Sequence, residues 1–214
     1  MHSISPSFVR PYPVVLPIKH GLDIALILLA APLWMPLLLV ISTMIAAQCG
    51  SVFFSQIRIG QNGHPFRIWK FRTMCPSAEG RLAALLQIPD VREEWERHGK
   101  LVNDPRQTWF GRILRRHSLD ELPQIWNVLR GEMSLVGPRP LLPEELRREY
   151  GAFAATVLLV RPGMTGAWQV SGRNRLSYAQ RLDLHLAYAR NPSFKRDLAI
   201  LARTVRAILR GTGH

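Results

Sequence analysis

The feature that most limits this chain is a run from Ile24 to Ile57 without a single charged side chain. Within it, Ile24–Ala47 reads IALILLAAPLWMPLLLVISTMIAA, and 20 of those 24 residues are apolar. About 20 apolar residues suffice to cross the ~30 Å hydrocarbon layer of a bilayer. A helix of a soluble core is usually shorter and keeps a polar face. A cleaved signal peptide does not fit, because the stretch is too long and begins too late. Gln48 stands where lipidation of Cys49 would want a small residue. Membrane insertion is favoured over a core helix.

Pro32 and Pro36 divide this stretch. Each removes a backbone donor and crowds the carbonyl four residues earlier, so a sharp bend is expected there. The arms Ile24–Ala31 and Leu37–Ala47 are then too short, each alone, to span the bilayer. A helix-break-helix that enters and leaves by one face fits these lengths, and a kinked spanning helix fits the composition. The residues alone leave both open. If the segment spans, the Lys/Arg bias puts the basic remainder in the cytoplasm.

That remainder is strongly charged. The formal net charge is +13, and with Arg10, Lys19 and Asp23 set aside, residues 58–214 carry +12. Such an excess points to anionic partners: nucleic acid, lipid phosphate or phosphorylated substrates. A hydrophobic content of 47% excludes a disordered basic tail. Two cysteines, Cys49 and Cys75, support neither a disulfide framework nor a zinc module.

Along this basic portion, Ser51–Met74 predicts a β-hairpin turning at Gly60-Gln61-Asn62-Gly63, since Asn-Gly between β-rich runs is a strong turn signal. Arg58, Arg67, Lys70 and Arg72 stud its strands, a pattern suited to phosphate binding beside a membrane. Helices are expected over Ala78–Gln87, Val91–His98, Gly111–Arg116, Tyr178–Tyr188 and Phe194–Leu209, with Ile113 and Leu114 on the packed side of the third. A helix around Ile125–Leu129 should stop at Gly131, and Gln169–Arg173 suggests a short strand.

The chemistry centres on Asp120 and Glu121, followed by Pro123. Locally, Asp120 suits a helix N-cap, with Ser118 and Glu121 as an alternative capping box. The same geometry suits an ionised nucleophile: a carboxylate at a helix N-terminus is stabilised by about 0.3–1 kcal/mol and can attack phosphorus. Two neighbouring carboxylates also favour Mg²⁺. Arg139, set between Pro138 and Pro140, offers a guanidinium on a stiff support, as bidentate phosphate contact requires. There is no GxGxxG, P-loop, zinc-ligand spacing or Gly-x-Ser-x-Gly elbow.

These pieces together resemble one family, the bacterial sugar transferases or monotopic phosphoglycosyl transferases. The resemblance rests on Lys19…Asp23, Pro36, Phe54–Gly60, Asn62-Gly63, Lys70–Met74, Ser118–Val128, Met133–Pro140, Arg161–Gly166 and Gln169–Arg173, in family order over about nine-tenths of the chain. It implies an α+β, mainly helical fold with an N-terminal re-entrant helix breaking at Pro36, a small β-hairpin and interfacial amphipathic helices. The implied organisation is a tail over residues 1–18, a re-entrant membrane helix over 19–48 and a cytoplasmic-face catalytic domain over 49–214. The chain resembles the family's minimal catalytic core.

The implied reaction, at the inner membrane, moves a sugar-1-phosphate from a UDP-sugar to polyprenyl (undecaprenyl) phosphate and releases UMP. It runs through a covalent aspartyl-phosphosugar with Mg²⁺ as cofactor, as the first membrane step of a surface glycan. By the resemblance Asp120 is the nucleophile and a metal ligand, and Glu121 is its partner. Arg58, Lys70, Arg72, Arg115, Arg139 and Asp197 form the substrate and phosphate site. Membrane lipids are further partners, nucleic acid is not, and a homodimer is compatible. Departures from the family pattern are Met35 before Pro36, the added Pro32, His20, and His185 in place of an acid, with Asp183 nearby. The rival readings are a non-catalytic basic membrane adaptor, which leaves the Asp-Glu and Arg139 constellation unexplained, and a nucleic-acid-binding protein, which leaves the apolar head unexplained.

Overall fold

The computed structural model describes residues 15–75, 77–98, 101, 103–172 and 175–211. In chain order the elements are α1 (Val15–Leu29), α2 (Ala31–Cys49), β1 (Phe53–Ile59), β2 (Pro65–Phe71), α3 (Ala78–Leu85), α4 (Pro89–His98), α5 (Trp109–Arg116) and α6 (Ile125–Leu129). There follow β3 (Ser134–Val136), α7 (Pro143–Glu145), α8 (Ala154–Val157), β4 (Gly163–Thr165), α9 (Ala167–Val170), α10 (Tyr178–Arg190) and α11 (Phe194–Leu209). The chain is mainly helical, with two small two-stranded sheets.

The apolar stretch forms two helices separated only by Ala30. The break expected at Pro36 is therefore corrected: Pro36 lies inside α2, and the interruption precedes Pro32. A continuous helix would drive the Pro32 ring into the carbonyl of Leu28. Restarting at Ala31 puts Pro32 in the first turn, where its missing N–H has no intrahelical partner to lose. The helices are also longer than the arms inferred from the prolines, at 15 and 19 residues. Ala31–Gln48 is long and apolar enough to cross a membrane, and little of it is buried.

The hairpin forms as expected. Asn62 (φ 55°) and Gly63 (φ 81°) both take the left-handed backbone that Asn-Gly accommodates, inside a 3₁₀ turn over Gln61–Gly63. Gly131 (φ 75°) ends α6 as anticipated. Of the strand expected at Gln169–Arg173, Gln169 and Val170 instead end helix α9, launched from an extended Gly166, Ser171 and Gly172 form a turn, and Arg173 lies outside the described residues.

The chain divides into two compact units, and the division passes through the hairpin. The first comprises residues up to 31, 56–68 and 124–206. In it α1 packs on α6 and β3. Strand β3 pairs in parallel with β4, Ser134 facing Gly163 and Val136 facing Thr165, a sheet that the sequence did not announce. Two apolar clusters fill it: Val136, Val160, Tyr188, Ala189 and Ile200, and Leu141, Tyr150, Val157 and Leu186. Asn127, fully buried on α6, donates to the carbonyl of Arg67 (2.8 Å) and to Glu132 (2.7 Å), joining α6 to β2.

The second unit comprises residues 32–55, 69–123 and 207 onward. Its core is Ile41 and Ile45 of α2 packed with Phe71, Phe110 and Leu114. Leu114 is buried as expected, but Ile113, expected beside it, is exposed. Successive residues sit about 100° apart on a helix, and the contact face of α5 is set by Phe110, Gly111 and Leu114.

In the first unit the β3–β4 region is close-packed through glycine. A Cβ on Gly163 would lie 2.0 Å from the Gly137 nitrogen, and one on Gly166 2.1 Å from the Gly137 carbonyl oxygen. Gly163→Ala is therefore expected to cost about 3 kcal/mol or more by overpacking. Gly80→Ala, in open space on α3, should be neutral or gain up to about 1 kcal/mol in helix propensity. Denaturant unfolding of the two variants checks the contrast.

Candidate active site

The acidic pair lies in the second unit. A 3₁₀ helix over Leu119–Gln124 carries Asp120 and Glu121 in its first turn and Pro123 in its interior. Asp120 thus sits inside the turn and is not the N-cap of an α-helix; α6 begins only after Pro123, at Ile125, since that ring disfavours the α conformation at the residue before it. Ser118, at φ 56°, accepts the Glu121 N–H on its carbonyl (3.4 Å) and aims the turn.

Asp120 is buried. Burial pushes its carboxyl up to about 6; the Lys70 and Arg115 charges oppose that rise and the Glu121 charge adds to it. Lys70 donates to Glu121 Oε1 at 2.6 Å, with both side chains about a quarter to a third exposed. Arg115 Nε donates to Thr73 Oγ1 at 2.9 Å. Arg72 Nη2 reaches the Phe53 carbonyl (3.4 Å), and its Nε is buried without a partner among the described residues.

The support beneath this cluster was not legible in the sequence. Thr108 caps α5, its hydroxyl accepting the Gly111 N–H at 2.9 Å, while its own N–H donates to the Thr73 carbonyl. A Cβ on Gly111 would lie 2.2 Å from that carbonyl, so only glycine lets α5 come this close and set Arg115 against Thr73. Behind it Arg106 grips Asp104 with Nε (2.8 Å) and Nη2 (2.5 Å) in a fully buried fork. Burial would raise Asp104, but Arg106 holds it below the ordinary carboxylate value.

In the first unit Arg139 projects from its two prolines over the Trp168 ring, 5.6 Å from the ring centre. Its backbone N–H points to His185 Nε2 (3.5 Å), whose other nitrogen meets the Tyr150 hydroxyl (2.9 Å). Burial, followed by the Arg139 and Arg181 charges, presses His185 down to about 4, so it is neutral at pH 7. His185, which departs from the family pattern, thus serves as an uncharged buried acceptor.

Two residues expected at the phosphate site are engaged elsewhere. Arg58 is buried, donating to the Pro140 carbonyl (3.3 Å) and to Gln56 (2.8 Å), with Glu145 at 3.9 Å. Asp197 pairs with Lys19 (2.9 Å) and accepts from the Tyr188 hydroxyl (2.7 Å), so both its oxygens serve the fold. Lys19 also donates to the Val136 carbonyl (2.7 Å) and the Tyr188 oxygen, and Ser134 donates to Asp23 at 2.7 Å. Lys19 and Asp23, one turn apart on α1, therefore both clasp β3.

For a divalent cation the protein's share of ligands is small. Among the described residues no three His, Cys, Asp or Glu side chains gather. Asp120 and Glu121 are the carboxylates that would hold Mg²⁺, a cation that takes one or two carboxylates and completes its shell with water and substrate phosphate. The mutual repulsion of the two carboxylates is what such a cation would relieve.

A sequence model of the bacterial sugar transferases matches residues 14–211. Exopolysaccharide production protein ExoY of Rhizobium meliloti (strain 1021) is 44% identical over 91% of this chain and 87% of its own length. Undecaprenyl-phosphate galactose phosphotransferase of Salmonella typhimurium (strain LT2) is 41% identical over 92% of this chain. UDP-galactose-lipid carrier transferase of Erwinia amylovora is likewise 41% identical over 92%. The chain spans only 41% of each of the latter two.

A buried carboxyl raised from 3.8 to about 6 binds protons more tightly in the folded chain than in the unfolded one. Its contribution to stability is therefore lost as pH rises between about 4 and 6, at about 1.4 kcal/mol for each pH unit crossed. Asp120→Asn should be more stable than the wild type by about 2–3 kcal/mol at pH 7.5, with the gap closing toward pH 4. Urea unfolding across that range checks the sign.

Proposed function

The chain belongs to the bacterial sugar transferase family, and from that premise we propose that it is a phosphoglycosyl transferase moving a sugar-1-phosphate from a UDP-sugar to polyprenyl phosphate at a membrane surface. The observation that carries this reading is the buried Asp120, held in a tight turn with Lys70, Glu121 and Arg115 around it. A desolvated carboxylate is a stronger nucleophile than a hydrated one, and the two cations keep it ionised near neutral pH. The named activities of the Salmonella and Erwinia relatives agree with it.

One Asp120 oxygen attacks the sugar-bearing phosphorus of the donor. The bond from that phosphorus to the bridging oxygen breaks, its electron pair leaving on UMP. An oxygen of the polyprenyl phosphate then attacks the same phosphorus, the acyl–phosphate bond breaks, and the Asp120 carboxylate is restored. Glu121 holds the Lys70 ammonium beside the reacting carboxylate, and Arg115, fixed on Thr73, adds positive charge where oxyanion charge develops. Mg²⁺ held by Asp120 and Glu121 would supply further positive charge to the diphosphate.

The apolar helices enter the membrane and return to the same face. Lys19 and Asp23, at the start of the stretch, bind partners at 134, 136, 188 and 197. Ile41 and Ile45, near its end, pack on Phe71, Phe110 and Leu114. All these partners follow Arg58, and among the described residues no other helix is long and apolar enough to cross a bilayer. These contacts support a reading in which both ends of the stretch belong to one side of the membrane, and the basic charge favours the cytoplasmic side. The exposed Phe194, Leu198, Val205 and Leu209 of α11, with its arginines, suit the headgroup layer.

With UDP-galactose and undecaprenyl phosphate, Asp120→Asn is expected to lower UMP release at least about 1000-fold and to form no phosphosugar adduct; near-normal turnover, or an adduct on another residue, defeats the mechanism. Wild-type turnover should rise about tenfold per pH unit up to about pH 6 and then level, because the nucleophile must be ionised. In a chain freed of Cys49 and Cys75, cysteines placed at Gly21 and Gly50 should react with an impermeant maleimide from the same face of sealed vesicles. Labelling from opposite faces would make the segment a spanning one.

A further inference from the structure

Arg181 on α10 stands out from the other arginines of the first unit. Its guanidinium lies 5.0 Å from the centre of the Trp168 ring, the same indole that Arg139 approaches at 5.6 Å. It also lies 5.1 Å from the Tyr178 ring. Arg181 Nε donates to the Leu176 carbonyl at 3.1 Å, which fixes the side chain at its stem. Among the described residues neither Arg139 nor Arg181 makes an ion pair. Both charges bear on the same buried pair, Tyr150 and His185. Burial keeps both neutral; the two charges add to it at His185 and oppose it at the Tyr150 hydroxyl. Trp168 is itself buried, and its indole N–H has no acceptor among the described residues.

Two like charges gathered on one ring without a counter-charge repel each other, and the fold spends stability to hold them. A guanidinium stacked on an aromatic face keeps its N–H edge open to a planar or tetrahedral oxyanion. The loops are built to bring the pair together: the Gly137 and Gly166 backbones touch, which sets α9 and its Trp168 beside the Arg139 loop.

We propose that Arg181 and Arg139, sharing Trp168, form a two-guanidinium site that binds a phosphate ester group of a substrate. The proposal deepens the transferase reading and rests on it for the choice of substrates. The phosphate is either the diphosphate of the sugar nucleotide or the monoester of the lipid acceptor.

The test uses the full chain in nanodiscs. Binding of UDP and of undecaprenyl phosphate is measured at equilibrium, and UMP release is followed against each substrate in turn. Arg181→Gln is expected to weaken one of the two ligands about tenfold or more and to raise the matching KM while kcat stays within about threefold. Arg181→Lys, keeping the charge but not the fork, should recover only part of the loss. Arg190→Gln, removing a cation from the same helix, should change neither ligand more than about twofold. Loss confined to UDP assigns the sugar nucleotide, and loss confined to the lipid assigns the acceptor.

Unchanged affinity for both ligands in folded Arg181→Gln overturns the site, as does a wild type that binds neither. An equal loss in Arg190→Gln also overturns it, since that reports bulk charge alone. If Arg181→Gln does not fold, the binding of Arg181→Lys decides: full wild-type affinity and KM overturn the bidentate site. Arg181-dependent binding without any UMP release keeps the site and removes the transferase reading.

Discussion

The Lys19 ammonium, set among the Asp197 carboxylate, the Tyr188 hydroxyl and the Val136 carbonyl, ties the apolar head to the body of the first unit. A helix as apolar as α1 has little to hold it in one place on a protein surface, because apolar contact is non-directional. Charge-assisted hydrogen bonds supply the direction. Asp23, one turn further along, meets Ser134 on the same strand, so that α1 is fixed in rotation as well as position. Strand β3 then leads directly into Gly137 and the Arg139 loop. The residues that seat the apolar helix α1 and the residue proposed to hold phosphate are thus neighbours along one backbone.

The acidic pair shows the opposite balance. Asp120 is buried at a cost, and the surrounding structure over-determines it: a 3₁₀ turn ending in Pro123, a Ser118 in left-handed conformation and a close approach of α5 that only Gly111 permits. Strain and desolvation gathered at one carboxylate mark a candidate functional group, and the proposed reaction is centred there for that reason. The buried Asp104–Arg106 fork behind α5 is of the other kind, a fully satisfied pair that keeps its loop in place.

Much of this was legible in the residues. The uncharged run, the Asn-Gly hairpin, α10 and α11 and the stop at Gly131 all follow from short-range rules: length, periodicity, turn chemistry and charge. The local rules also misled in identifiable ways. Both prolines of the apolar stretch signal a bend, yet only Pro32 lies at a helix start, and α2 runs on through Pro36. Asp120 resembles a cap in any window of a few residues, but the α-helix it would cap starts later. Ile113 and Leu114 are equally apolar, and the contact face of α5 chose between them.

By itself, the sequence determined that an uncharged apolar head precedes a basic body, and that an acidic pair and a proline-flanked arginine belong to that body. These are properties of composition and of neighbours in the chain. Only the tertiary structure decided which charged groups are spoken for. Arg58 and Asp197 are buried in internal bonds, whereas Arg139 and Arg181 share an indole without a counter-charge among the described residues. The physical reason is that a charge is defined by its surroundings. Desolvation and ion pairing depend on groups brought close from distant parts of the chain, and no local pattern encodes that distance.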